Sequence, residues 1–288
     1  MKRRRFLQIV AAAVAAPGMA SAAAEWRGRA LGADAAIALH GPGAAEALAE
    51  LTPLLAQVEV VFSLHRPSEL TELNAQGACR PSPWMAEVLA LADRLNRLTG
   101  GAFDPTVQPL WRALAEGGDL AAARALLGWD RVRIGTGRVV LDKGQALTLN
   151  GIAQGFATDL LRDRLAAQGF TQALVNIGEY AALGGPFRLG IEDPVAGLLA
   201  TRALRSGALA VSSPGAMQLG GQGHILHPRG LPPRWSTVAV EADRAALADG
   251  LATALVFADL AQVTRLRAEV PGLRAVMLVD AAGDLRTI

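Results

Sequence analysis

A single cysteine, Cys79, stands among 288 residues. One thiol excludes an intramolecular disulfide, and with no cluster of histidines near it in sequence it makes a poor metal site. Charge is sparse, at 19% of residues, and the slight positive balance is local. The opening "MKRRR" holds four of the 28 Lys and Arg, which leaves 24 against 26 Asp and Glu in the remainder. No Lys/Arg-rich run follows to track a phosphate backbone, so the composition argues against a nucleic-acid partner. Also missing are a G-x-G-x-x-G after a strand, a Walker loop and H-E-x-x-H. No internal repeat is visible, and no long polar tail.

What is abundant is apolar: 51% of the chain is hydrophobic, enough to bury a sizeable core as one large domain or two closely packed ones. The 31 glycines and 15 prolines spread along it imply many tight turns between short elements. At the N-terminus, "MKRRRFLQIVAAAVAAPGMASAAAEW" has the three parts of an export signal: charged start, short apolar run, small-residue exit. Arg3 and Arg4 with Phe6 and Leu7 give the R-R-x-F-L pattern of twin-arginine signals. The apolar run Ile9 to Ala16 is too short to span a bilayer and is broken by Pro17-Gly18. Ala20-Ser21-Ala22 offers a cleavage site. The expectation is a signal peptide over 1–22, a domain over 23–288, a periplasmic location and no stable membrane insertion after cleavage.

Along that domain, Gly32 to Leu39 reads as a first strand and Gly43 to Phe62 as a helix despite Pro53. Ser82 to Gly101 is a helix with Ser82 as N-cap, Pro83 at the first helical position and Gly100-Gly101 at the end. Leu120 to Leu127 is a short helix, Arg131 to Asp142 a hairpin, and the stretch from Gly151 another helix, ending at Gly169. "QALVNIGEYAAL", "PFRLGIEDP", "LATRALRSGALAVSS", "STVAVEA" and "RAVMLVD" read as strands, the last one before Gly283. This mixed order predicts an α+β architecture, with mixed or antiparallel sheets packed against helices, rather than a doubly wound parallel sheet.

"LADGLATALV", Leu247 to Val256, is an apolar helical run carrying one acid, Asp249, and one alcohol, Thr253. Four residues apart, the two share a helix face. Asp249 can be a mere N-cap and Thr253 can bond back to the carbonyl four residues earlier. Alternatively, the pair presents two hard oxygens to a divalent ion.

Three other stretches stand with it: "FSLHRPSELTELNAQG", "GGAFDPTVQPLW", and "LNGIAQGFATD" followed by "NIGEYAALGG"; "GHILHPRG" precedes the Asp249 helix. In this order and spacing they resemble the ApbE family of FAD:protein FMN transferases, from Gly32 through the last strand. The resemblance implies a T-fold-related α+β domain. It also implies transfer of the FMN half of FAD to a Thr or Ser hydroxyl of an acceptor flavoprotein, with Mg²⁺ as cofactor and AMP released. Breaking a pyrophosphate needs a hard cation to neutralise its oxygens. By the same resemblance, Asp249 and Thr253 ligate the metal with main-chain oxygens of Gly151 and Ala252. Leu31, His65, Ala102, Phe103, Asp104, Thr148, Gln154 and Leu226 line the FAD site. His224 is the general base, as an imidazole titrating near neutrality can be.

The chain departs from the family pattern at several of these places. His65 stands where Tyr is usual, His227 where Asp is usual, Thr148 replaces a carboxylate and Gln154 a Lys or Glu. Leu31-Gly32-Ala33 replaces M-G-T, Ser212-Ser213-Pro214-Gly215 replaces T-S-G, and Gly178-Glu179-Tyr180 replaces a G-G-D turn. Two other outcomes follow from the same residues: an FAD pyrophosphatase giving free FMN and AMP, or a flavin-binding relative without catalysis.

Overall fold

The computed structural model describes residues 23–288, so the export signal read over 1–22 lies outside it. The chain opens with a hairpin, β1 (Ala23–Ala30) and β2 (Ala33–His40), followed by α1 (Ala44–Phe62). Then come α2 (Glu69–Gln76), β3 (Ala78–Cys79), α3 (Pro83–Leu98), α4 (Gln108–Glu116) and α5 (Leu120–Ala125). A small hairpin of β4 (Arg133–Gly135) and β5 (Arg138–Val140) precedes α6 (Ala153–Ala167). Five strands follow: β6 (Gln172–Asn176), β7 (Tyr180–Leu183), β8 (Phe187–Asp193), β9 (Gly197–Leu204) and β10 (Gly207–Ser212). After the short pair β11 (Gln218–Leu219) and β12 (Gln222–Gly223) the chain ends with β13 (Thr237–Ala242), α7 (Ala245–Leu255), α8 (Leu260–Glu269), β14 (Leu273–Val279) and β15 (Leu285–Thr287).

The main sheet has eight strands in the order β1-β2-β6-β7-β10-β13-β14-β15, every neighbouring pair antiparallel. Strand alternation divides its side chains between two cores. Val175, Ala210, Val238, Val240, Val276 and Leu278 face the helices, within one large cluster that includes Leu55 and Phe62 of α1 and Leu251 of α7. Leu174, Leu209, Ala239 and Met277 face the other way, under Phe187, Leu189 and Ile191 of the β8–β9 hairpin. The central strands are therefore buried on both faces, which is why they read as continuous apolar runs.

The α+β expectation holds. The helix over 82–101 is capped as its sequence says: Ser82 Oγ accepts the Met85 N–H at 3.3 Å, and Gly101 N–H closes on Asn96 O at 2.8 Å. Three details differ. "QALVNIGEYAAL" is two paired strands, turned where Gly178 takes φ 99°, and "LATRALRSGALAVSS" is also two, turned before Gly207 at φ 82°. The helix expected from Gly151 begins at Ala153. A further strand, β15, follows Gly283.

Candidate active site

Helices α6 and α7 lie antiparallel, and three contacts spaced four residues apart hold them together. At the first, a Cβ on Gly151 would stand 3.0 Å from Thr253 Oγ1, so any larger residue there would crowd the Thr253 side chain. At the second, the Gly155 N–H donates to Asp249 Oδ2 at 3.0 Å. At the third, the Ala245 and Ala246 N–H groups donate to the two carboxylate oxygens of Asp159, each at 2.9 Å. Gly155 makes the approach possible, since a Cβ there would meet Ala245 O at 2.4 Å.

This geometry decides how Asp249 is held. The N-cap of α7 is Arg244, so Asp249 is an interior residue and not a cap. The helical N–H that it meets belongs to the first turn of α6, not to its own helix as the sequence suggested. An anion is favoured at that end. Thr253 Oγ1 lies 3.5 Å from Ser212 Oγ at the end of β10. Ala252, one residue earlier, is wholly buried.

Asp249 is 4% exposed, and burial pushes its carboxyl up to about 7; the Gly155 N–H opposes this and the nearby Asp159 adds to it. Glu179, on the turn between β6 and β7, is buried too and accepts the Val211 N–H at 3.1 Å. Burial first, then the charge of Asp249, drive it well above the usual carboxylate range. Asp249 and Glu179 are thus two carboxylates that repel each other, and the Thr253 hydroxyl stands one helical turn from Asp249; oxygens of this kind are what a hard divalent ion prefers. Among the described residues no group of three or more His, Cys, Asp or Glu is arranged to hold a metal. Any ion here would rely on hydroxyl, main-chain and substrate oxygens as well as on an acid.

The raised carboxyl has a stability consequence with a definite sign. A folded value of about 7 against an ordinary 3.8 means that the unfolded chain loses this proton first as pH rises. Through that window the metal-free fold loses stability with rising pH. Asp249→Asn removes the titration and keeps an acceptor for Gly155. Its stability advantage over wild type in EDTA is expected to grow by on the order of 2 kcal/mol from pH 5 to pH 8, read by urea unfolding. A gap that stays constant with pH contradicts the assignment.

The residues assigned to the flavin fall in two groups. Leu31 adopts φ 47°, rare outside glycine, and its N–H donates to Glu59 Oε1 at 2.5 Å. A Cβ on the next residue, Gly32, would lie 3.8 Å from the ring of His65, so the β1–β2 turn and His65 adjoin. A cleft of about 1070 Å³ opens there, lined by His65, Arg66 and Pro67. Asp249, Thr253 and His224 do not line it, nor the cleft of about 830 Å³ lined by Asn74, Asp142 and Gln145.

The second group surrounds the Asp-Pro turn. Asp104 Oδ1 accepts the Thr106 N–H at 2.8 Å and its hydroxyl at 2.6 Å, capping the 3₁₀ turn Pro105–Val107. Burial raises the Asp104 carboxyl despite those two bonds. Thr148 N–H donates to Pro105 O at 2.9 Å, joining this turn to the approach of α6. The Phe103 ring is buried in the main core, with its N–H on Thr99 Oγ1 and its carbonyl taken by Asn96; Ala102 is half-buried. Gln154 lies under the Gly178 turn, where a Cβ would be 2.6 Å from its Cδ. That turn carries Glu179.

His224 Nδ1 lies 3.2 Å from the carbonyl of Pro214, two residues beyond Ser212. A carbonyl only accepts, so Nδ1 carries the proton, which leaves Nε2 as the acceptor of the neutral ring. Burial lowers its pKa, against main-chain bonds to Pro214 and Met217 that raise it. His227 differs: it is 4% exposed, its Nδ1 accepts the Arg229 N–H at 3.0 Å, and its ring packs edge-on against Phe257. Leu226 beside it is half-buried. The sequence assigned no role to Glu179 or Asp159, although each is an acid in an otherwise apolar stretch.

Fold and site together define an antiparallel α+β protein with an oxygen-rich, buried junction between two helices. The profile described as the ApbE family matches residues 31–277, and the chain belongs to that family. The FAD:protein FMN transferase of Rhodobacter capsulatus is 30% identical over 249 residues, 76% of this chain and 47% of that protein. The one of Vibrio cholerae is 31% identical over 163 residues, 49% of each chain. The chain thus spans about half the length of these curated relatives. Among solved structures, the flavin transferase ApbE from Vibrio cholerae superposes with TM-score 0.81 at 26% identity, covering 93% of this chain and 97% of that one. The apo flavinyl transferase ApbE of Pseudomonas stutzeri gives 0.79 at 26% identity, over 93% and 94%.

Proposed function

We propose that this chain is an Mg²⁺-dependent FAD:protein FMN transferase, acting in the periplasm after twin-arginine export on a Thr or Ser of an acceptor flavoprotein. The observation that carries the reading is the buried Asp249 carboxylate, gripped through one oxygen by Gly155 and standing one helical turn from Thr253. Asp249 and Thr253, with main-chain oxygens of Gly151 and Ala252, would hold the metal. When bound, Mg²⁺ supplies charge neutralisation at the pyrophosphate oxygens and polarises phosphorus. Placing Asp249 in a dry site favours this, because an isolated buried anion is costly and a cation relieves it.

The remaining work falls to the chain's own groups. His224 Nε2 accepts the proton of the acceptor hydroxyl as its oxygen bonds to the FMN phosphorus. The bond from that phosphorus to the bridging oxygen breaks, and AMP leaves with that oxygen. The Pro214 carbonyl fixes the tautomer that makes this possible. Leu31, His65 and the Asp104 turn would wall the dinucleotide, with Thr148 and Gln154 offering neutral hydrogen bonds where a charge is usual.

The test is to incubate the mature chain with FAD, Mg²⁺ and a flavoprotein acceptor. A fluorescent flavin band on the acceptor in a denaturing gel supports transfer; FMN free in solution means hydrolysis instead; neither product leaves a binding protein. His224→Ala is expected to lower the transfer rate by about 10²- to 10⁴-fold, with FAD binding retained. An unaltered rate removes His224 as the base.

A further inference from the structure

We infer that Asp159 is the positioning residue of the metal centre, the half of a reciprocal clasp that fixes where α7 presents Asp249 and Thr253. The inference rests on the reading of those two residues as ligands. Each helix offers the other an acid and receives it on main-chain N–H groups. Gly155 of α6 donates to Asp249 of α7, and Ala245 and Ala246 of α7 donate to Asp159 of α6. The two rungs are four residues apart on both helices, so they lock the rotation of α7 and its slide along α6. Thr253 then falls opposite Gly151, one further turn along.

Asp159 is fully committed to this task. Besides the two amides, its oxygens face Arg162 at 3.3 Å and Arg244 at 3.4 Å, and Arg162 also donates to the Asp243 carbonyl just before α7. The carboxylate is 1% exposed and touches no open surface, which separates it from a ligand or a base. Asp249 has only one oxygen tied by its rung, and the other remains for an ion. An error in the Asp159 rung would therefore be felt as a misplaced pair of metal ligands. Groups that fix the backbone from which a metal's ligands project act in this way.

The test compares the wild-type chain with Asp159→Asn, which keeps the shape but turns an amide N–H₂ toward the N-terminus of α7. Binding of Mn²⁺ alone is read from the loss of its free EPR signal, and FAD binding in EDTA from flavin fluorescence. The expected result is a Kd for Mn²⁺ weakened by about 10- to 100-fold, FAD affinity unchanged, and catalysis restored by raising Mg²⁺. Arg244→Gln, which leaves both amide bonds intact, is expected to bind Mn²⁺ much as wild type does. Wild-type Mn²⁺ affinity in Asp159→Asn, or a parallel loss of metal and FAD binding, overturns the inference. A wild-type chain that binds no Mn²⁺ overturns the metal reading and this inference with it. Should Asp159→Asn fail to fold, hydrogen exchange in the wild-type protein decides. Mg²⁺ is expected to slow exchange at Ala245 and Ala246, and unchanged rates there overturn the proposal.

Discussion

Asp249→Ala is expected to abolish Mg²⁺-dependent release of AMP from FAD while leaving a folded protein. A metal ligand contributes several kcal/mol of transition-state stabilisation, which corresponds to a rate loss of about 10³-fold or more. The usual confusion with unfolding is avoided here by the sign of the stability change. Asp249 is a buried acid pushed up to about 7, so in metal-free protein near pH 8 its removal relieves a buried charge, which offsets the loss of its bond from the Gly155 N–H. Chromatography of the nucleotide products and a thermal melt on the same sample separate the two. Lost AMP release with an intact melt supports metal ligation; undiminished AMP release refutes it.

Gly155→Ala carries the second large effect, and here two forces oppose. Alanine in a helix is favoured over glycine by about 1 kcal/mol, so propensity alone predicts a more stable protein. The added Cβ would, however, lie 2.4 Å from Ala245 O, 2.6 Å from its carbonyl carbon and 2.7 Å from Ala246 Cα. All three are backbone atoms and cannot rotate away, so the helices must part. Overpacking of this kind costs about 1–3 kcal/mol or more, which outweighs the propensity gain. The melting temperature is expected to fall by about 5 °C, at about 2–4 °C per kcal/mol for a chain of this size. Mg²⁺ binding is expected to fall with it, because Gly155 also supplies the N–H that holds Asp249. A melt equal to or above wild type contradicts the close-packed junction.

What could be read from sequence follows the range of the interactions. The helix after Ser82 was legible because cap, first-turn proline and closing glycines are all local. The inner strands were legible as apolar runs, yet the hairpin turn at 177–179 and the link at 205–206, where the chain passes from the β8–β9 hairpin to the main sheet, were not separated, since apolar residues continue on both sides. The edge strand β1 alternates exposed and half-buried residues without a strong apolar face, and β15 is exposed throughout, so neither stands out. Helix α2 carries a local capping pair, Ser68 with Thr71, but is short and polar. At the site, the Asp249–Thr253 spacing was visible because one helix holds both. Glu179 and Asp159 were not, because what defines them is a partner 32 residues away at Val211 and 86 and 87 residues away at Ala245 and Ala246.

Anomalous scattering from crystals of residues 23–288 grown with Mn²⁺ addresses the central assignment most directly. The account predicts a single strong peak between α6 and α7, about 2.2 Å from the free carboxylate oxygen of Asp249 and from Thr253 Oγ1, as for a hard cation on oxygen ligands. A peak elsewhere, with Asp249 protonated against Gly155 and Thr253 turned to Ser212, would contradict it.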